Sequence, residues 1–257
     1  MTSNTALITG ASSGIGAELA KLFAADGDDV VLVARSEGRL DELATKIEDR
    51  NGVTATVVPM DLTEADASER LFEEIKDRRI EVHTLVNNAG YTTYGRFDRT
   101  DVEDDTKMID LNITAVTHLT KRFVRPMVDR GEGAVLNTSS MAGMAPTPTQ
   151  AVYAATKSYV LSLSESVGHE LEDEGITVTA LCPGPVDTEF IDMGEGAGVS
   201  DGSLNDPESV AKAGYEGMKK GKRVVVPSTK MKGLAHLKRV LPRKKVVSMA
   251  EDAVTED

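Results

Sequence analysis

The chain has 257 residues, of which 40% are apolar and 28% are charged. This composition excludes a disordered chain, a collagen-like repeat and a coiled coil, and the length suits one α/β domain. No apolar run reaches the roughly 18 residues that a membrane span needs, and the first residues lack the basic region of a secretory signal. The single cysteine, Cys182, excludes an intrachain disulfide and predicts a reducing, cytoplasmic location.

The net charge of −13 is unevenly distributed. Residues 219–257 carry 11 Lys and Arg against 4 Asp and Glu, a net charge of +7, which leaves −20 on residues 1–218. The acidic body disfavours nucleic acid as a partner. Its acidity is explained either by solubility or by adaptation to high salt.

The basic end of the chain contains a candidate amphipathic helix. Residues 230–245 place Leu234, Leu237 and Leu241 at helical spacing, and Pro242 ends the pattern. Such a helix could lie on an anionic membrane surface, or its apolar face could dock on the domain or on a second subunit. We favour docking over membrane association, because the apolar face is short and the basic charge complements the acidic body.

The predicted elements alternate along the chain. Strands are predicted at 6–9, 30–34, 53–58, 82–86, 134–138, 177–181 and 223–226. Helices are predicted at 15–25, 37–50, 63–79 and 152–172, and Asp206-Pro207 begins another. We interpret Thr63 and Asp66 as a capping box for the third helix.

This alternation predicts a single doubly wound, Rossmann-type α/β domain with a mostly parallel seven-stranded sheet and helices on both faces. The strand sequences are continuously apolar, as parallel strands covered on both sides require. No linker or internal repeat interrupts the pattern. We assign residues 1–228 to the domain, with a glycine- and serine-rich substrate lid at 189–205, and residues 229–257 to a basic extension.

A glycine-rich turn follows the first strand and opens the first helix, in the pattern Gly-x-x-x-Gly-x-Gly. Glycines there allow a tight turn, a close approach of a phosphate to the backbone and close helix–sheet packing, and the helix N-terminus favours an anion. The turn therefore predicts a dinucleotide site. Its predicted contacts are Gly10, Ser12, Ser13, Gly14, Ile15 and Gly16.

The end of the second strand indicates which dinucleotide is bound. Ala34 stands where a carboxylate would bind a ribose 2′-hydroxyl, and Arg35 follows it. Because a guanidinium binds a 2′-phosphate through several donors, NADP is favoured over NAD.

Two further motifs carry a family resemblance. Asn87-Asn88-Ala89-Gly90 follows the fourth strand, and Tyr153 and Lys157 form a Tyr-x-x-x-Lys motif. With the glycine turn, these motifs resemble the short-chain dehydrogenase/reductase family over residues 5–190, in an NADP-preferring branch of broad or unassigned specificity. The resemblance implies hydride transfer between NADP(H) and a carbonyl or secondary alcohol, and a homodimer or homotetramer.

The family's serine lies thirteen residues before its tyrosine, which selects Ser140 for Tyr153 over its neighbour Ser139. A second Tyr-x-x-x-Lys at 215–219 lacks that serine. Tyr153 and Lys157 lie one helical turn apart on one face. We expect the ammonium of Lys157 to lower the pKa of Tyr153 from about 10, and Ser140 to bind the substrate carbonyl.

The resemblance implies the remaining site residues. Asn112 completes a catalytic tetrad with Ser140, Tyr153 and Lys157 and holds a water in a proton relay, while Lys157 and Tyr153 also contact the cofactor. Further cofactor contacts are Asp61 and Leu62 at the adenine, Asn88, Ala89 and Gly90 at the ribose side, and Pro183, Gly184, Val186 and Thr188 at the carboxamide. No metal site is predicted, and Cys182 is interpreted as a buried small residue.

The side chains predicted around the cleft favour a medium-sized small-molecule carbonyl compound, apolar or of 3-hydroxy/3-oxo type. They are Tyr91, Tyr94, Phe97, Met141, Met144, Phe190 and Met193. Two other functions stay open. An NADP-binding regulator without turnover would tend to lack the Tyr/Lys pair, and a sugar-nucleotide epimerase or dehydratase would carry a longer C-terminal domain.

Overall fold

The structure is a computed structural model of the chain, and it describes residues 4–187, 204–228, 233, 242 and 245–248. Its strands are β1 (Thr5–Thr9), β2 (Asp29–Ala34), β3 (Ala55–Pro59), β4 (Thr84–Asn87), β5 (Gly133–Thr138), β6 (Ile176–Leu181) and β7 (Val224–Val225). Within the described residues, the α-helices are α1 (Gly14–Ala25), α2 (Glu37–Asn51), α3 (Ala67–Asp77), α4 (Val102–Ile109), α5 (Val116–Arg130), α6 (Ala151–Glu170) and α7 (Pro207–Lys219).

The strands form one sheet in the order β3-β2-β1-β4-β5-β6-β7, and every pairing between them is parallel. The chain runs outward from β1 to β3 and then returns to place β4 on the other side of β1. The predicted doubly wound, seven-stranded α/β domain is confirmed. The loops after β1 and β4 meet at this reversal, where open α/β sheets bind ligands.

Helices cover both faces of the sheet. Ile8 of β1 packs with α1, α2 and α7 on one face, whereas its neighbour Leu7 packs with α3 and α5 on the other. Both side chains are fully buried. This alternation follows from the two-residue period of a strand and explains why the β1 sequence is continuously apolar.

The predicted capping box at Thr63 is wrong. Helix α3 begins at Ala67, after Asp66. The backbone N and the Oγ1 of Thr63 both donate to Oδ1 of Asp61, at 3.0 and 2.8 Å. The carboxylate two residues earlier satisfies both donors locally, so Thr63 lies in a turn before the helix.

Residues 102–130, where the sequence predicted no helix bounds, form α4, a π-helix at Asp110–Ala115 and α5. The π-helix joins the two α-helices without a break, and Pro126 lies inside α5. Within the described residues, no helix is both long enough and apolar enough to cross a membrane.

A buried polar chain joins the central strands to the helices on one face. Nδ2 of Asn87 donates to Oγ1 of Thr120 at 3.0 Å and to Oδ1 of Asn137 at 2.8 Å. Nδ2 of Asn137 donates to Oγ of Ser164 on α6, at 2.9 Å. These bonds tie β4 and β5 to α5 and α6.

Candidate active site

The glycine turn forms a cradle at the start of α1. Gly10 has φ +66° and Gly14 has φ +53°, a region that favours glycine. A Cβ on Gly16 would lie 2.2 Å from the carbonyl oxygen of Gly10. The turn and the helix therefore touch through backbone alone, which leaves the half-buried Ser12, Ser13 and Ile15 around the helix N-terminus.

Thr9, which sequence reasoning missed, ties this cradle to the loop after β4. Its Oγ1 accepts from the backbone N of Asn88 at 3.0 Å and from that of Ala89 at 3.1 Å. Nδ2 of Asn88 donates to the carbonyl of Gly10 at 3.3 Å, and Thr138 donates to Oδ1 of Asn88 at 3.2 Å. The ends of β1, β4 and β5 are thus held together.

The residues predicted at the adenosine half follow β2 and β3. Arg35 is exposed directly after β2. Burial raises the pKa of Tyr91 to about 12, and the positive charge of Arg35 opposes this shift in part. Asp61 uses Oδ1 for the Thr63 turn. Leu62 is 6% exposed and its side chain packs in the core.

Tyr153 and Lys157 lie together on α6. Nζ of Lys157 is 5.8 Å from the centre of the Tyr153 ring and donates to the carbonyl of Thr138 at 2.9 Å. Both side chains are buried. The end of β5 therefore holds the ammonium in place beside the phenol.

Ser139 and Ser140 point in different directions. Oγ of Ser139 is buried and donates to the carbonyl of Lys157 at 2.8 Å. Oγ of Ser140 accepts from the N of Ala142 at 3.1 Å, and a side-chain hydrogen bond joins Ser140 to Tyr153. Of the two serines, Ser140 is the one that faces the tyrosine.

Asn112 lies in the π-helix and is fully buried. Its Nδ2 donates to the carbonyl of Tyr91 at 3.0 Å, and its Oδ1 accepts from the N of Tyr91 at 3.3 Å. A Cβ on Gly90 would lie 2.9 Å from Oδ1 of Asn112 and 3.3 Å from Nζ of Lys157. All four predicted tetrad residues therefore gather at the carboxyl edge of the sheet.

The pKa of Tyr153 shifts in the direction opposite to the one we expected. Burial raises the pKa of Tyr153 above its usual value, and the hydrogen bond with Ser140 opposes this only in part. Burial also lowers the pKa of Lys157 to about 8. Desolvation of the phenolate thus raises the pKa of Tyr153, contrary to our expectation that the ammonium of Lys157 would lower it.

The segment after β6 carries the predicted carboxamide contacts. Pro183 is buried, and its carbonyl accepts from the N of Met141 at 2.8 Å. Val186 forms a parallel bridge with Asn205 through the N of Asp187 and the carbonyl of Pro185, so the bridge does not use the N and O of Val186 itself.

Several predicted residues fall beyond the described segments. Thr188 lies outside them, as does the predicted lid apart from Leu204 and Asn205. The predicted helix at 230–245 is described only at Gly233, Pro242 and Lys245.

Hydrogen bonds join two segments beside the predicted cleft, residues 92–95 and residues 149–150. The N of Gly95 donates to the carbonyl of Thr149 at 2.9 Å, and Nε2 of Gln150 donates to Oγ1 of Thr92 at 3.2 Å. Gln150 also hydrogen-bonds Tyr94. Thr149 has φ +62°, a strained conformation for a β-branched residue.

Two of the predicted cleft side chains turn inward. Met141 is 7% exposed and packs with Ala180 and Cys182, and Met144 packs against the same cluster. Burial raises the pKa of the Cys182 thiol to about 12, which agrees with a packed residue rather than a nucleophile. Phe97, at 73% exposed, stands at the mouth of the cleft.

The second Tyr-x-x-x-Lys pair lies far from this edge, on α7. Nζ of Lys219 is 5.6 Å from the centre of the Tyr215 ring, but the Tyr215 hydroxyl bonds the carboxylate of Asp26 and its ring packs edge-on against Phe23. This pair joins α7 to α1. Nowhere in the described residues do three His, Cys, Asp or Glu side chains converge as a metal site would require.

Known proteins resemble this chain over most of its length. A sequence model of the family described as short chain dehydrogenase matches residues 4–194. A 3-oxoacyl-[acyl-carrier-protein] reductase of Synechocystis is 37% identical over 191 residues, which are 74% of this chain and 77% of that protein.

Solved structures agree with this match. A short-chain dehydrogenase from Sphingobium yanoikuyae in complex with NADPH superimposes with a TM-score of 0.84 at 34% identity, covering 92% of this chain and 94% of that one. A bulky-bulky ketone specific alcohol dehydrogenase from Comamonas testosteroni gives 0.81 at 30% identity, covering 93% of each.

Proposed function

The chain belongs to the short-chain dehydrogenase family, and we propose that it transfers hydride between NADP(H) and a carbonyl or secondary alcohol. The observation that carries this proposal is the gathering of Ser140, Tyr153 and Lys157 beside the glycine cradle. A phenol, an ammonium and a hydroxyl at one edge of the sheet provide what proton transfer to a carbonyl oxygen needs.

The residues present fit a dinucleotide. Side chains at Gly10, Gly16 and Gly90 would collide with the surrounding backbone or with the tetrad, so backbone surfaces line the groove. The start of α1 would hold the pyrophosphate, Asp61 the adenine, and the backbone of Val186 the carboxamide. When bound, the nicotinamide supplies or accepts the hydride.

Arg35 supports NADP over NAD. It is exposed after β2, and Ala34 before it offers no carboxylate to repel a phosphate. The Sphingobium relative is described in complex with NADPH, which agrees with this choice.

The chain's own residues support a reduction. Tyr153 is protonated at neutral pH, as a tyrosine with the ordinary pKa of about 10 would also be, so its hydroxyl can give a proton to a carbonyl oxygen that Ser140 also binds. Lys157, with a pKa of about 8, stays mainly charged and stabilises the phenolate that this transfer leaves. Asn112 completes the tetrad from the π-helix.

The proposed substrate is a medium-sized carbonyl compound, apolar or of 3-oxo type. The exposed ring of Phe97 favours an apolar group at the mouth, whereas Tyr94 and Gln150 offer polar contacts near Tyr153. The Synechocystis relative is described as a 3-oxoacyl reductase and the Comamonas relative as specific for bulky ketones.

The proposal extends to a cytoplasmic homodimer or homotetramer. Val102 and Ile109 on α4 and Tyr159 on α6 are exposed large apolar residues that an interface could cover.

For the basic extension we propose docking on protein, and Val246 within it is only 4% exposed. Deleting residues 229–257 should lower thermal stability or shift the oligomer mass in light scattering, beyond the mass of the deleted residues. Vesicle binding that is lost with the deletion would contradict docking.

The test of the function is an assay of aldehydes, ketones and 3-hydroxy acids with NADP(H) and NAD(H). Tyr153→Phe should lower kcat at least 10³-fold while cofactor affinity stays within about twofold. Tyr215→Phe is the matched control, since it changes the same motif at the other edge of the sheet, and it should keep kcat. Near-normal turnover by Tyr153→Phe would overturn the proposal.

A further inference from the structure

The hydroxyl of Thr156 bonds the side chain of one tetrad member and the backbone of another. Its Oγ1 donates to the carbonyl oxygen of Tyr153 at 2.8 Å and accepts from Nδ2 of Asn112 at 3.2 Å. The side chain is 1% exposed. Thr156 is therefore a buried bridge between α6 and the π-helix.

Both N–H donors of the Asn112 side chain are used in hydrogen bonds. A primary amide has two N–H donors, and here one goes to the carbonyl of Tyr91 and the other to Thr156. Its Oδ1 accepts from the N of Tyr91. Three bonds thus determine how Asn112 is rotated, and only the one to Thr156 reaches α6.

That rotation bears on Lys157. A Cβ added at Gly90 would lie 2.9 Å from Oδ1 of Asn112 and 3.3 Å from Nζ of Lys157. Both atoms therefore lie beside Gly90. Without the Thr156 hydroxyl, an amide proton of Asn112 would have no acceptor in a fully buried place. The amide would turn toward another acceptor and change the polar surroundings of the ammonium.

We propose that Thr156 is a positioning residue, whose hydroxyl sets the rotation of the Asn112 side chain beside Lys157 that proton transfer requires. The inference rests on the proposed function. The titratable groups that face Lys157 in the described residues are Tyr153 of its own helix and Cys182 after β6.

The experiment compares two substitutions with the full-length protein. Thr156→Val keeps the shape and removes the hydroxyl, and Thr156→Ser keeps the hydroxyl. We expect the valine variant to lose at least tenfold in kcat, with KM for NADPH within twofold, and to shift the midpoint of the kcat–pH profile by half a unit or more. The serine variant should stay within threefold of wild type with an unshifted profile.

Ser164→Ala is the matched control on the same helix. Oγ of Ser164 donates to the carbonyl of Val160 at 2.7 Å and accepts from Nδ2 of buried Asn137 at 2.9 Å, so it makes the same kind of bridge away from the tetrad. This variant should lose thermal stability but keep the wild-type pH profile. An equal pH shift in Ser164→Ala, or an unchanged profile in Thr156→Val, would overturn the inference.

If Thr156→Val does not fold, Thr156→Cys replaces it, because a thiol is close to a serine in size but is a poor acceptor. Its kcat should fall well below that of Thr156→Ser, and equal values would contradict the inference. Absence of turnover in the wild type with every carbonyl tested would instead overturn the proposed function.

Discussion

The hydroxyl of Ser139 donates to the backbone carbonyl of Lys157, at 2.8 Å. Its neighbour Ser140 faces Tyr153 instead. The two adjacent serines therefore make different contacts: Ser139 ties α6 to the end of β5, and Ser140 faces the tyrosine.

Substituting each serine should separate these roles. Ser140→Ala should lower kcat by about 10²–10³-fold, as loss of a donor to a developing oxyanion does. Ser139→Ala should lower the free energy of unfolding by about 1–2 kcal/mol and keep kcat within severalfold. Steady-state kinetics and urea unfolding measure the two effects, and a Ser139→Ala variant without activity would contradict the assignment.

Arg35 should determine cofactor preference. Arg35→Ala removes a charge-assisted contact of about 1.5–3 kcal/mol, so affinity for NADPH should fall at least tenfold while affinity for NADH changes little. Arg50→Ala, at the far end of the exposed face of α2, is the control. Fluorescence titration with both cofactors tests this, and a wild type that prefers NADH would contradict it.

Lys157 should destabilise the fold at neutral pH. Its pKa is about 8 when folded against 10.5 for the ordinary side chain, so the unfolded chain binds more protons between these values. The penalty is fully present below pH 8 and fades as the pH rises toward 10.5.

Lys157→Met should therefore raise the free energy of unfolding by about 1–3 kcal/mol at pH 7 while abolishing turnover. The gain should shrink between pH 8 and 10.5 in urea unfolding series. A gain that is independent of pH, or a loss of stability at pH 7, would refute this explanation.

Gly16 should tolerate no side chain. A Cβ there would meet the carbonyl of Gly10 at 2.2 Å and Nδ2 of Asn88 at 2.6 Å, so Gly16→Ala must displace the start of α1. Cofactor affinity should fall at least tenfold by calorimetry. On α2, a Cβ added at Gly38 would meet no neighbouring atom within 4 Å outside its own helix. Gly38→Ala should therefore keep that affinity and raise the free energy of unfolding by about 0.5–1 kcal/mol.

The residues that sequence reasoning placed well lie where strands end. Leu7 and Ile8 of β1 indicate a strand covered on both faces, and parallel strands bring their carboxyl ends to one edge. The residues that follow those ends, such as Arg35, Asn88 and Ser140, could therefore be predicted to lie along one edge of the sheet. This prediction needed no knowledge of contacts between residues that are distant in the sequence.

Features that depend on an extra residue in a helical turn, or on burial in the folded protein, could not be predicted from the sequence. The π-helix around Asn112 inserts a residue into a turn and shifts the apolar face, which hides the helical period of residues 102–130. Burial, which raises the pKa of Tyr153, is a property of the packed fold. The bridge at Thr156 had one signal, its place three residues after Tyr153, where a hydroxyl can reach a helical carbonyl.

The contact between α7 and α1 has a consequence for the nascent chain. Phe23 and Tyr215 meet edge-on with ring centres 4.9 Å apart, although α1 is the first helix described and α7 closes the same layer of the domain. At about 5–20 residues per second, roughly 10–40 s separate the synthesis of α1 from that of α7. Throughout that interval the part of α1 that packs on α7 stays uncovered, so this layer of the domain is completed only late in synthesis.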